Sequence, residues 1–181
     1  MGVSVPTFEY LSGDAINDRV MGQLVPSARD SLLIATATLK AMRVVKPDGT
    51  AESIVRLLER LSGRGVTVRV LHSGIPSGPF REELKTVEPG AFQMRRCPRT
   101  HFKAVVVDGS HVYLGSANLT GAGLGAKSEG RRNFEIGLVT DDPAMVDAVA
   151  DLFESIWSGA QCQSCDRTDF CPVPLEEPWS E

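Results

Sequence analysis

Strands and helices alternate along most of this 181-residue chain, which predicts an α/β domain. Three observations carry that expectation. Short β-branched runs of strand length, SLLIATAT, VTVRVL and KAVVV, recur between segments whose apolar residues follow helical spacing. Turn signals such as Pro47-Asp48-Gly49 and Asp108-Gly109 separate them. The composition, 42% hydrophobic and 23% charged, is that of a globular chain able to bury a core without disulfides.

The elements follow in order. Ile16, Val20 and Leu24 predict a helix over 14–25, with Ser12 or Asp14 as its cap. Residues 31–38 read as a buried strand. Thr50 is the expected cap of a helix to about Ser62, in which Ile54, Leu57, Leu58 and Leu61 share a face and Gly63 and Gly65 end the run. Residues 66–71 alternate and form a strand; a short helix over 80–86 and a strand over 91–95 come next. Strands are then expected over 101–107 and 112–114, joined by the Asp108-Gly109 turn. A Gly-rich loop over 115–130 leads to a strand over 133–140. Asp141 or Asp142 caps the last helix, with Pro143 in its first turn and Trp157 near its end. Phe153 and Trp157 are read as core anchors. Periodicity stops at Gly159, so the chain divides into a domain over 1–158 and a Cys-bearing tail over 159–181.

Charge narrows the class of ligand. The net charge is −4, but residues 91–132 hold seven basic side chains against two acidic ones, a net +5, and the remainder carries −9. A local positive field in an acidic body favours an anionic ligand at one place. No apolar run reaches transmembrane length, and the opening residues have neither a basic n-region nor an apolar h-region. A soluble cytoplasmic protein is expected.

The segment from His101 to Asn118 concentrates the chemistry. On a strand His101 and Lys103 share a face, setting a titratable nitrogen beside a fixed positive charge. The next strand ends in Gly115-Ser116-Ala117-Asn118, where Gly permits close approach and Ser and Asn offer neutral donors for phosphate oxygens. The spacing H-x-K-x4-D-x6-G-S-x-N resembles the signature of the phospholipase D, or HKD, superfamily at every motif position. Asn133-Phe134-Glu135 resembles that family's downstream N-x-E strand. The likeness is close over 101–137 and looser over most of the chain.

The resemblance implies a mixed β-sheet flanked by helices and a phosphodiesterase that needs no cofactor for catalysis. His101 would be the nucleophile, forming a phosphohistidine. Lys103, Ser116 and Asn118 would hold the non-bridging oxygens, and Glu135 would orient the far ring nitrogen of His101. Asp108 would support the strand turn. The family commonly carries two motifs per chain, whereas this chain has one. His72 lacks a Lys partner and is read as structural; His111 lies in the motif spacer and is read as a surface residue. The general acid is therefore expected from His101 of a second copy, in a C2 homodimer. A nuclease acting on DNA or RNA is the leading expectation. A phospholipid hydrolase or transphosphatidylase is one alternative; another is a partner-gated or inactive nucleic-acid-binding subunit of a larger nuclease or bacterial defence complex.

Around this centre Gly115, Lys127, Arg131, Arg132 and Asn133 are candidate contacts to flanking phosphates. Gly121 to Ser128 imitates a nucleotide-binding loop, but Ala126 replaces the required Gly. Cys162-x2-Cys165-x5-Cys171 crowds the tail, and in a chain read as intracellular such clustering points to metal before disulfides. With Cys97 it offers four thiolates for a tetrahedral zinc site. The spacing also resembles the C-terminal cysteines of iron–sulfur staple nucleases, which implies [4Fe–4S] instead. The two stay open.

Overall fold

The computed structural model describes residues 5–46, 48–167 and 171; the first four residues, Pro47 of the expected turn and most of the tail lie outside these. A seven-stranded mixed sheet organises the chain in the order β1-β9-β8-β7-β2-β5-β6. Its strands are β1 (Phe8–Ser12), β2 (Ser31–Thr36), β5 (Thr67–His72), β6 (Gln93–Arg96), β7 (Lys103–Val107), β8 (His111–Gly115) and β9 (Ile136–Thr140). The pairs β2–β5 and β5–β6 are parallel; the other four are antiparallel. A separate ribbon joins β3 (Arg43–Val45) and β4 (Ala51–Ser53).

Both faces of the central strands are covered, which is why β2 and β7 read as continuous apolar runs. On one face Leu32, Ile34, Val70, Val105 and Val107 pack against a helical segment α1 over 14–27, α2 (Ile54–Ser62) and α3 (Gly78–Leu84). On the other, Leu33, Ala35, Leu71, Ala104 and Val106 meet Val146, Phe153 and Trp157 of α4 (Pro143–Trp157). Trp157 and Phe153 are core anchors as expected, stacked with ring centroids 5.4 Å apart.

Several boundaries differ from the sequence expectation. The strand β1 is additional: only Leu11 of Phe8–Ser12 is buried, so an edge strand pairing with β9 leaves little apolar signal. The cap of α1 is Gly13, with φ 60°, and not the Ser12 or Asp14 side chain. Residues Asn17–Leu24 are wound as π-helix, and Pro26, lacking an N–H, lies in the closing 3₁₀ turn. Thr50 does not cap α2. Its amide and hydroxyl both bond Asp48 Oδ1, at 2.8 and 2.6 Å, while Ser53 Oγ accepts the Arg56 N–H at 3.2 Å and caps the helix. At α4 the cap is Asp142, accepting from the Met145 N–H at 3.1 Å, with Pro143 at the first helical position.

Candidate active site

Strand register creates the site. Lys103, the first residue of β7, pairs with Gly115, the last of β8, and Gly115 pairs in turn with Gly137 of β9. The β7 ladder starts at Lys103 because β8 offers no partner beyond Gly115. His101 therefore stands just before the strand, exposed, and not within it as the sequence suggested. The Lys103 ammonium turns back and donates to the His101 backbone carbonyl at 2.6 Å. Phe102 points to the opposite face, against the α4 core.

Beyond β8 the chain anchors Asn118 through the end of β2. Asn118 Oδ1 accepts the Thr38 N–H at 3.0 Å, and the buried Thr36 hydroxyl lies 3.4 Å from it. Thr36 Oγ1 also donates to the Thr38 carbonyl at 2.9 Å and accepts the Leu119 N–H at 3.0 Å. With its oxygen so engaged, the amide nitrogen of Asn118 is the end left to donate. Thr36 and Thr38 escaped the sequence reading because they sit some 80 residues from Asn118.

Ser116 and Glu135 form a second pair. Ser116 Oγ donates to Glu135 Oε2 and accepts the Ile136 N–H at 3.1 Å. Asn133 Nδ2 donates to the other carboxylate oxygen of Glu135 at 3.1 Å. The contact expected between Glu135 and His101 is not among the described hydrogen bonds; those of the carboxylate run to Ser116 and Asn133. The β8–β9 register carries Ser116 opposite Ile136 and so beside Glu135. The strand expected from Asn133 begins at Ile136.

Tyr113, which the sequence reading passed over, lies beneath these groups. Its ring fills the slot left by the paired Gly115 and Gly137: a Cβ on Gly115 would meet the Tyr113 hydroxyl at 2.2 Å, and one on Gly137 the ring at 2.3 Å. Burial, and then the charge of Glu135, push the phenol up to about 12. The Ala117 N–H approaches the hydroxyl without reaching good hydrogen-bond geometry.

Asp108 sits at the far end of β7, remote from this array. It and Gly109 both take the left-handed conformation, at φ 52° and 58°, and Ser110 N–H bonds the Val107 carbonyl at 3.0 Å. Asp108 Oδ1 accepts the N–H groups of Arg29, Asp30 and Ser31 at 3.1, 2.8 and 2.9 Å, tying the hairpin to the start of β2. Partial burial pushes the carboxyl up, but the Ser31, Asp30 and Arg29 amides outweigh it and hold it below the usual range. Its place in the motif is structural.

The basic stretch is largely committed within the fold. Arg95 stacks on Trp157 and donates to its carbonyl; Arg96 Nε donates to the Ser73 carbonyl at 3.1 Å. Arg132 pairs with Asp14 at 2.9 Å, so it braces the loop against α1 and does not stand out toward a substrate. Lys127 and Arg131 remain exposed on the loop. The run Gly121 to Ser128 leads into a single 3₁₀ turn, Glu129–Arg131, and lacks the helix whose N-terminus a nucleotide-binding loop requires. His111 is half-buried at the start of β8. His72 is fully buried, its Nδ1 2.9 Å from the Gly74 carbonyl; burial lowers its pKa more than that bond raises it.

The four cysteines converge. Cys97, Cys162, Cys165 and Cys171 line one cavity of about 390 Å³, together with His101, Phe102, Leu152 and Ile156. Burial and then the charges of the other three push the Cys162 thiol up. The Arg167 amide and then Arg99 hold the Cys165 thiol down. Among the described residues no three His, Cys, Asp or Glu side chains are already drawn to metal-ligand distances.

Comparison with known proteins gives a consistent picture. A family model described as the PLD-like domain of cardiolipin synthase matches residues 21–157. No curated protein sequence matches. Among solved structures, the phospholipase D family member Nuc from Salmonella typhimurium superposes with a TM-score of 0.63 at 19% identity, over 85% of this chain and 95% of that one. NucT from Helicobacter pylori gives 0.62 at 16% identity, over 83% and 95%. A phosphatidylserine synthase from Haemophilus influenzae gives 0.56 at 18%, over 84% of this chain but 39% of its own.

Proposed function

Because this chain belongs to the phospholipase D superfamily of phosphodiesterases, we propose that it is a nuclease that cleaves DNA or RNA through a phosphohistidine on His101, at a site completed by a second copy. One observation carries the reading. Three polar side chains, Lys103, Asn118 and Ser116, and the Glu135 carboxylate that accepts from Ser116, stand at the strand ends beside an exposed imidazole.

The chemistry follows from these groups. A ring nitrogen of His101 attacks phosphorus, the new P–N bond forms as the P–O bond to the leaving alcohol breaks, and the alcohol takes its proton from His101 of the other copy. Water then attacks the phosphohistidine and returns a proton to that same histidine, releasing a phosphomonoester and free His101. Lys103 and the amide of Asn118 face the charge that develops on the non-bridging oxygens. Ser116, whose hydroxyl donates to Glu135 in the free site, becomes a neutral donor to the phosphate when that proton turns to a non-bridging oxygen, and none of these steps calls on a cofactor.

The second copy is supported by the surface as well as by the single motif. Phe134 is fully exposed beside Glu135, and Ile136, Tyr10 and Phe8 extend an apolar patch across β9 and β1. A patch of this kind next to a site with one histidine suits a self-complementary contact. Nucleic acid is favoured over lipid by two features. The match covers nearly all of two compact relatives, Nuc and NucT. Lys127 and Arg131 are free to meet flanking phosphates. Among the described residues no helix is long and apolar enough to cross a membrane.

The test is cleavage of labelled single-stranded DNA, duplex DNA and RNA in excess EDTA. Activity should survive chelation, vanish in His101→Ala and fall about 10²–10³-fold in Lys103→Ala. Mixing His101→Ala with an Asn118→Ala variant should not restore wild-type turnover, since each mixed site keeps a single His101 where the reaction uses two. Hydrolysis of phosphatidyl lipid in place of every nucleic acid would overturn the substrate assignment and leave the phosphodiesterase.

A further inference from the structure

We propose that Cys97, Cys162, Cys165 and Cys171 form a tetrathiolate site for a thiophilic metal, zinc or iron, which fastens the segment after α4 to the catalytic end of the sheet. The inference does not depend on which phosphodiester the enzyme cleaves.

The first reason is convergence. All four cysteines of the chain line the same cavity, although Cys97 is separated from Cys162 by more than sixty residues.

The second reason is what holds the tail. Among the described residues after Trp157, only Gly159, Cys162, Cys165 and Cys171 are even half-buried; every other one is exposed. Successive turns, Cys162 N–H to Gly159 O at 2.9 Å, Cys165 to Cys162 at 3.2 Å and Cys171 to Arg167 at 3.1 Å, present the thiols inward. Such a segment buries no apolar side chain of its own, so hydrophobic packing does not account for its docking. Four metal–sulfur bonds do.

Charge supplies the third reason. A divalent ion with four thiolates carries a net charge of −2, and Arg96, Arg99 and Arg167 line the cavity around it. Arg99 and Cys165 line it together, so a guanidinium stands where a thiolate ligand would take an outer contact. Part of the +5 stretch is thereby assigned to a metal and not to substrate. Among the described residues no three His, Cys, Asp or Glu side chains stand at metal-ligand distances; ligation at about 2.3 Å would bring neighbouring sulfurs to about 3.8 Å and draw the cavity in. Because Cys97, Pro98, Arg99 and His101 form one wall, this closure would also steady the segment that delivers the nucleophile.

The full chain, purified anaerobically without chelator, is analysed for metal by mass spectrometry and for iron–thiolate absorbance. We expect either about one zinc per chain or iron with sulfide and visible colour; the two arms separate the metals. Metal content in Cys162→Ser and Cys171→Ser should fall below about a tenth of wild type, while Ser164→Ala keeps it. Should these variants fail to fold, wild-type protein still decides: the four thiols should resist Ellman's reagent until a mercurial or strong chelator releases the metal in step with their exposure. A metal-free protein whose four thiols react at once overturns the proposal. So does metal retained in both cysteine variants.

Discussion

Removing the Asp108 carboxylate should cost stability and spare chemistry. One oxygen, Oδ1, takes three backbone N–H groups from Arg29, Asp30 and Ser31, at 3.1, 2.8 and 2.9 Å. Hydrogen bonds to a charged acceptor contribute about 1.5–3 kcal/mol each, against about 0.5–1.5 for neutral ones. Asp108→Asn keeps an acceptor and tolerates the φ of 52°, losing about 2 kcal/mol because the three bonds share one atom. In Asp108→Ala all three donors lose their partner. The Arg29 and Asp30 sites are exposed and regain water, so about 3 kcal/mol is lost there, with about 1 more for a left-handed alanine. For a chain of this size about 4 kcal/mol lowers the melting temperature by about 8–16 °C.

The assay is urea unfolding of wild type and both variants at pH 7 and at descending pH. Folding holds the Asp108 carboxyl below its unfolded value, so its contribution is complete above the unfolded pKa of about 3.9 and is lost as pH falls through the folded one. The gap between wild type and Asp108→Asn should therefore be full at pH 7 and close in strong acid. Phosphodiesterase turnover at 25 °C should stay within about threefold of wild type, far from the 10² or more expected of a group in the chemistry. Turnover abolished in a variant whose unfolding is unchanged would refute this and return Asp108 to the active site.

Three further outcomes are expected. Thr36→Val removes the hydroxyl that serves Leu119, Thr38 and Asn118; it should cost about 1–3 kcal/mol and lower turnover about 10- to 100-fold with little change in KM, because the Asn118 donor is no longer aimed. Gly115→Ala drives a methyl to 2.2 Å from the Tyr113 hydroxyl and 2.7 Å from the Ile136 carbonyl; calorimetry should show a loss of about 3 kcal/mol, only partly recovered by Tyr113→Phe. His72 is buried with its pKa lowered, so wild-type stability should fall as pH drops below the unfolded value of about 6.5; equilibrium unfolding of His72→Gln across pH 7 to 5 should show that slope reduced.

Local sequence determined much of this protein. The apolar runs of β2 and β7, the heptad-like face of α2 and the Asp142-Pro143 start of α4 were all legible, because buried strands and capped helices leave periodic or positional signals. The spacing of His101, Lys103, Ser116 and Asn118 around the ends of two adjacent strands is likewise a local pattern. The edge strand β1 was not legible, since its one buried residue creates no period. Tertiary structure alone decided who meets whom. It set Glu135 against Ser116 through the β8–β9 register, assigned Asp108 to the β2 start, committed Arg132 to Asp14, and placed Thr36 under Asn118. Each of these joins residues from 19 to 118 positions apart in the chain. Composition and periodicity record which face of an element is buried; the partner on that face is chosen only when the sheet order closes.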